Sequence, residues 1–171
     1  VIVRQGLVIG VPLLIASIIQ VTLLSRLGLP GATPDLVVVT VIAVALAMGP
    51  GQGAFAGFLA GIIIDVSPPS DTVIGVNSIV YLAIGFVAGY IVDKRDLTVI
   101  VMIAVGGLAC AAASLGTAVV DSLLGSPRVL WDSVPLITLT SAVYGAVLAR
   151  AVVPLMQWLT RKLAPEVLLE G

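Results

Sequence analysis

Long apolar runs separated by short polar breaks make up most of this chain. One covers about residues 5–25, and others cover about 73–92, 97–120 and 133–157. A bilayer core about 30 Å thick takes roughly 20 helical residues, so each run is predicted to be a membrane-spanning helix. Between the first two, residues 36–64 carry no charge. As a single helix that stretch would be about 43 Å long, too long to cross without heavy tilt. It also contains "GPGQG" at 49–53, where Pro50 removes a backbone donor between two glycines. The stretch is therefore predicted to be two shorter helices, about 36–48 and 52–65, both buried among their neighbours. The pattern predicts an all-α integral membrane protein of about six transmembrane helices, forming one domain over 1–171. No internal repeat or low-complexity tract interrupts it.

The last stretch, "QWLTRKLAPEVLLEG", mixes apolar Trp158, Leu159 and Leu163 with Arg161 and Lys162. It is predicted to be an interfacial tail over 158–171, with Trp158 anchored at headgroup depth. The first run is too long for a signal-peptide core and no cleavage-like site follows it, so it reads as a retained span. Applied to six spans, the positive-inside rule places Arg4, Lys94, Arg95, Arg161 and Lys162 on the cytoplasmic side, with Arg26 and Arg128 outside. Five spans with the N-terminus outside give a similar bias. Both arrangements put the charged loop of Asp93, Lys94, Arg95 and Asp96, and the C-terminus, in the cytoplasm.

Composition narrows the chemistry. Of the 171 residues, 60% are hydrophobic and 10% charged, against about 25% charged in a soluble domain. The net charge of −1 offers no basic face to nucleic acid. Histidine is absent and Cys110 is the one cysteine. Imidazole-dependent catalysis, imidazole metal ligands and an internal disulfide are therefore excluded for this chain. No span centre holds an ionisable group, and no carboxylates converge in sequence. Nothing calls for a cofactor or a metal, and the chain does not read as an enzyme.

Two features remain. Gly53, Gly57 and Gly61 recur every fourth residue on one helix face, and Gly85 and Gly89 form a pair on the next long helix. In lipid, small residues at this spacing let backbones approach closely. Such a face either packs helices within this chain or receives the helix of another protein. Gly6 and Gly10 form a third, weaker pair. The second feature is the placement of the acids. Asp35 opens a helix, where a carboxylate caps free N–H groups. Asp65 closes one, where the helix dipole opposes its charge. Solvation at the span edge is the plainer reading for Asp65, as it is for Asp121. The alternative partners are the polar groups of "SPPSDT" and Asn77.

Taken in order, "PDLVVV", "GQGAFAGFLAGIIID" and "GVNSIVYLAIGFVAGY" resemble the rod shape-determining protein MreD family over about residues 34–90. The matching positions are Pro34, Asp35, Leu36, Gly53, Gly57, Gly61, Asp65, Gly75, Gly85 and Gly89. The resemblance implies a non-enzymatic inner-membrane subunit of the bacterial cell-elongation machinery. Its implied partners are an MreC-like single-span scaffold protein and, in a larger complex, MreB filaments and peptidoglycan synthases. It also implies a fold similar to the substrate-binding subunits of energy-coupling-factor vitamin transporters. That leaves vitamin binding as one alternative, and a small secondary transporter dependent on Asp65 as another. Only 5% of residues are aromatic, which disfavours a vitamin pocket.

Overall fold

A computed structural model of the protein describes residues 2–26, 33–67, 74–92, 97–125 and 131–163. Its described residues form six α-helices and no strand: α1 (Ile2–Thr22), α2 (Leu36–Met48), α3 (Pro50–Val66), α4 (Val76–Ile91), α5 (Val99–Leu123) and α6 (Val134–Leu163). A 3-10 turn, Leu24–Arg26, follows α1. The loop from Asp93 to Asp96 and the chain beyond Leu163 lie outside the described residues.

Local chemistry accounts for the helix limits. Asp35 starts α2, its Oδ1 accepting from the Val38 amide at 3.0 Å. Gly49 ends it at φ 106°, in a backbone region that L side chains rarely adopt. Pro50 then opens α3 in the first turn, where a missing N–H costs no helical hydrogen bond. The uncharged run is thus folded back on itself at Gly49–Pro50. At the start of α4, Gly75 is left-handed (φ 103°), so this helix begins later than the expected 73 and has 16 residues. Thr98 caps α5 by accepting from the Val101 amide.

The end of α6 differs from the sequence expectation. Trp158, Arg161 and Lys162 were expected in a separate tail, yet they continue a single helix of 30 residues. Pro154 lies within it and faces outward. On the opposite face Val153, Met156 and Thr160 are buried, at 0%, 2% and 1% exposure. Packing on that face carries the helix through the proline.

α2 is the centre of the molecule. Every residue from Val37 to Met48 is buried, and all five other helices touch it. Its one polar side chain, Thr40, donates to the Leu36 carbonyl within the same helix at 2.8 Å. Around it, α3 packs on α4 and α5 packs on α6 as two antiparallel pairs, while α1 covers α2 and α3. Large apolar side chains face outward, including Leu14, Phe58, Phe86, Leu108, Leu139 and Val147. Exposed apolar surface on this scale is not found on a soluble monomer and is the surface lipid requires. By length and composition, α5 and α6 are sufficient to cross a bilayer; α2, α3 and α4 are shorter apolar segments, as is the Gly6–Thr22 part of the 21-residue α1. A full span was also expected for the fourth helix. α4 falls short because residues 74 and 75 form a turn, whose role appears at the candidate site.

Candidate functional site: a buried carboxylate network beside a glycine seam

The glycine face of α3 is filled by α4. A Cβ on Gly53 would strike the Gly85 carbonyl oxygen, one on Gly57 the Tyr81 carbonyl, and one on Gly61 the Ser78 backbone. One further turn along, a Cβ on Gly89 would lie 2.7 Å from Pro50 Cα. Small residues at every fourth position on both helices thus bring two backbones into direct contact, as close helix packing in lipid demands. Ala45 and Val41 of α2 also close on Gly53 and Gly85, so the seam joins helices of this chain and leaves no room there for another protein's helix. Gly6 and Gly10 of α1 have open space around them.

The seam delivers the N-terminus of α4 to Asp65. Gly61 lets Ser78 and Asn77 come within reach of a carboxylate one turn further along α3. Asp65 Oδ2 accepts from the Gly75 amide at 2.7 Å and the Ser78 hydroxyl at 3.3 Å. Its Oδ1 accepts from Asn77 Nδ2 at 2.8 Å. The side chain is 1% exposed, so the expectation of a solvated carboxylate is corrected. The dipole of α3 opposes a negative charge at this position. The N-terminus of antiparallel α4, directly beside it, favours one. The turn at 74–75 therefore turns a free helix-end amide toward the acid. Asp121, in the last turn of α5, is only partly buried.

Asp35 anchors a second part of the network. Besides capping α2, its Oδ2 accepts from the Tyr81 hydroxyl at 3.0 Å, and its carbonyl lies 3.9 Å from Cys110 Sγ on α5. Gln20 of α1 accepts from the Val37 amide at 2.9 Å. Groups from α1, α4 and α5 thus converge on the start of the central helix. Tyr81 and Gln20 were not singled out from sequence. Tyr81 could have been, because it stands four residues beyond Asn77 and so shares its face of the helix. Along α4, residues 75–81 connect the two carboxylates through Gly75, Asn77, Ser78 and Tyr81. Among the described residues, no buried polar side-chain atom lacks a hydrogen-bond partner, and no group of three or more metal-ligating side chains occurs. The network ties the ends of α2, α3 and α4 together through neutral donors.

Two other features lie outside this network. An apolar groove of about 390 Å³ opens between α4 and α5, lined by residues such as Ala83, Val87, Ala88, Leu108, Ala109 and Ala112. At the far end of α6, exposed Trp158 carries the Lys162 ammonium 4.9 Å from its ring centroid.

A central apolar helix, a lipid-ready exterior and a buried carboxylate network placed at helix ends define a polytopic helical membrane protein. The family model for the rod shape-determining protein MreD matches residues 2–163, and the chain belongs to the MreD family. Its role is in rod shape determination, a structural function with membrane-associated partners in the cell-elongation machinery. No match was found among curated proteins or solved structures.

Proposed function

We propose that this chain is a non-enzymatic scaffold subunit in the bacterial inner membrane, with its C-terminus in the cytoplasm. It binds an MreC-like single-span protein and helps couple MreB filaments to peptidoglycan synthesis. The observation that carries this reading is the family match, which runs through all six helices. The architecture supports it: the polar groups of the buried network are consumed in fastening helix ends, which suits a rigid platform. The α4–α5 groove has no aromatic lining and almost no polar surface, unlike a pocket that would select a vitamin.

The test is co-purification from bacterial membranes. A tagged chain co-expressed with an MreC-like protein should recover it in mild detergent, and an unrelated polytopic protein should not. Failure to recover it, from a sample shown to be folded by its unfolding transition, would refute the scaffold reading. Tight binding of a vitamin, together with recovery of an ATPase module, would establish the transporter reading instead.

A further inference from the structure

The described acids gather at one end of the bundle, where Arg26 also lies, and the cations near the end of α6 at the other. The four described acids, Asp35, Asp65, Asp121 and Asp132, all lie where α2, α4 and α6 begin. At the other end, α6 exposes Arg150, Arg161 and Lys162 and contains no acidic residue along its whole length.

The register of α5 against α6 sets their depth. A Cβ on Gly106 would meet Ala149. Because the two helices are antiparallel, the start of α5 at Val99 lies level with about residue 156 of α6. The last two turns of α6 therefore extend about 10 Å past the start of its partner helix. As a helix of 30 residues, α6 is about 45 Å long, longer than a hydrocarbon core of about 30 Å. Tyr90 at the end of α4 and Trp158 on α6 are 75% and 55% exposed, and together they mark the interfacial level at this end.

Direction completes the arrangement. Ala149, Val153, Met156 and Thr160 form the buried face of α6. At 100° per residue, Trp158 and Lys162 fall opposite that face, Arg161 beside them, and Arg150 on its flank. Lys162 lies over the Trp158 ring, which holds one cation beside an aromatic plane that sits well at headgroup depth.

The geometry points to this face as a docking surface for anionic phospholipid, whose phosphate and acidic headgroup meet Arg161 and Lys162 while the acyl chains lie against Leu155 and Trp158. The inference concerns one end of one helix and is independent of which protein the bundle binds.

Trp158 reports on it directly. In a Trp131→Phe background it is the one remaining tryptophan. The full chain is reconstituted in phosphatidylcholine vesicles containing a minor fraction of brominated phosphatidylglycerol, or of brominated phosphatidylcholine. Quenching of Trp158 should be greater with the anionic lipid at equal mole fraction. The Arg161→Gln/Lys162→Gln variant should lose that preference, on the order of fivefold per cation removed, and Arg161→Lys/Lys162→Arg should retain it. Both positions are exposed, and an unchanged unfolding transition confirms that each variant is folded. Soluble glycerol phosphate at millimolar concentration should leave the preference intact. Equal quenching by the two lipids, a preference that survives loss of both cations, or displacement by soluble glycerol phosphate would each overturn the proposal.

Discussion

The two antiparallel helix pairs solve the same packing problem with different tolerance. Between α3 and α4, the atoms facing Gly53, Gly57, Gly61 and Gly89 are mostly backbone. Between α5 and α6, Gly106 faces the Ala149 Cβ, Gly145 faces the Cys110 side chain, and Gly107 sits 3.4 Å from the Ala146 Cβ as well as 2.9 Å from the Ala142 carbonyl, measured from a Cβ built on the glycine. An alanine Cβ moves only with its backbone, so the difference lies in distance: a Cβ on Gly57 or Gly61 would come within 2.1–2.2 Å of the α4 backbone, whereas one on Gly107 would come no closer than 2.9 Å to α6. The first pair also carries a buried acid, while the polar link in the second is a Ser114–Thr138 hydroxyl contact at 3.4 Å. The lesson is that small residues mark both seams, and the backbones approach most closely at Gly57 and Gly61 of the α3–α4 seam.

That contrast can be broken most severely at Gly57. Gly57→Leu places a branched side chain against the Tyr81 carbonyl and should destabilise the bundle by about 3 kcal/mol or more. The expected readout is loss of monodisperse protein in mild detergent. Next in size, Asp65→Ala strands the Gly75 amide and Asn77 without an acceptor, at a cost of about 2 kcal/mol. The thermal unfolding transition should fall accordingly, and Asp65→Asn, which keeps one acceptor oxygen, should lose less. On the other pair, Gly107→Ala should cost about 1 kcal/mol, measurably less than Gly57→Ala in the same assay. Equal losses at Gly57 and Gly107 would remove the distinction between the seams. At the smallest end, Gly10→Ala on α1 meets open space and should stabilise the helix by about 0.5–1 kcal/mol.

The same contrast shows how much could be read before the structure was seen. Spacing of four revealed the Gly53–Gly61 face, "PDL" revealed the capped start of α2, and "GPG" revealed the reversal after Met48. Each of these signals is local, written within a turn or two of helix. For Asp65 the sequence offered Asn77 as one partner, but solvation read as the plainer outcome because only the dipole of its own helix was weighed. The favourable dipole belongs to α4, and its proximity depends on packing across the seam. Tyr81 reaches Asp35 across 46 positions of sequence, a contact no local pattern encodes. Shortness marked residues 36–48 as buried, but they are almost uniformly apolar, so they carry no face to show which neighbours enclose them. The passage of α6 through Pro154 depends likewise on what Met156 and Thr160 bury against, information absent from the run itself.

The enclosed position of α2 has a consequence for assembly. It is among the earliest helices synthesised, yet α6, one of the walls of its enclosure, is made about a hundred residues later. During that interval its surface must rest against lipid. A helix with a defined polar stripe would be stranded there, free to pair with the wrong neighbour. The run "LVVVTVIAVALAM", whose sole hydroxyl is bonded to its own backbone, is equally at ease on every side and can wait in the membrane at no cost. The uniformity that hides its neighbours from a reader of the sequence is also what lets the chain finish its core last.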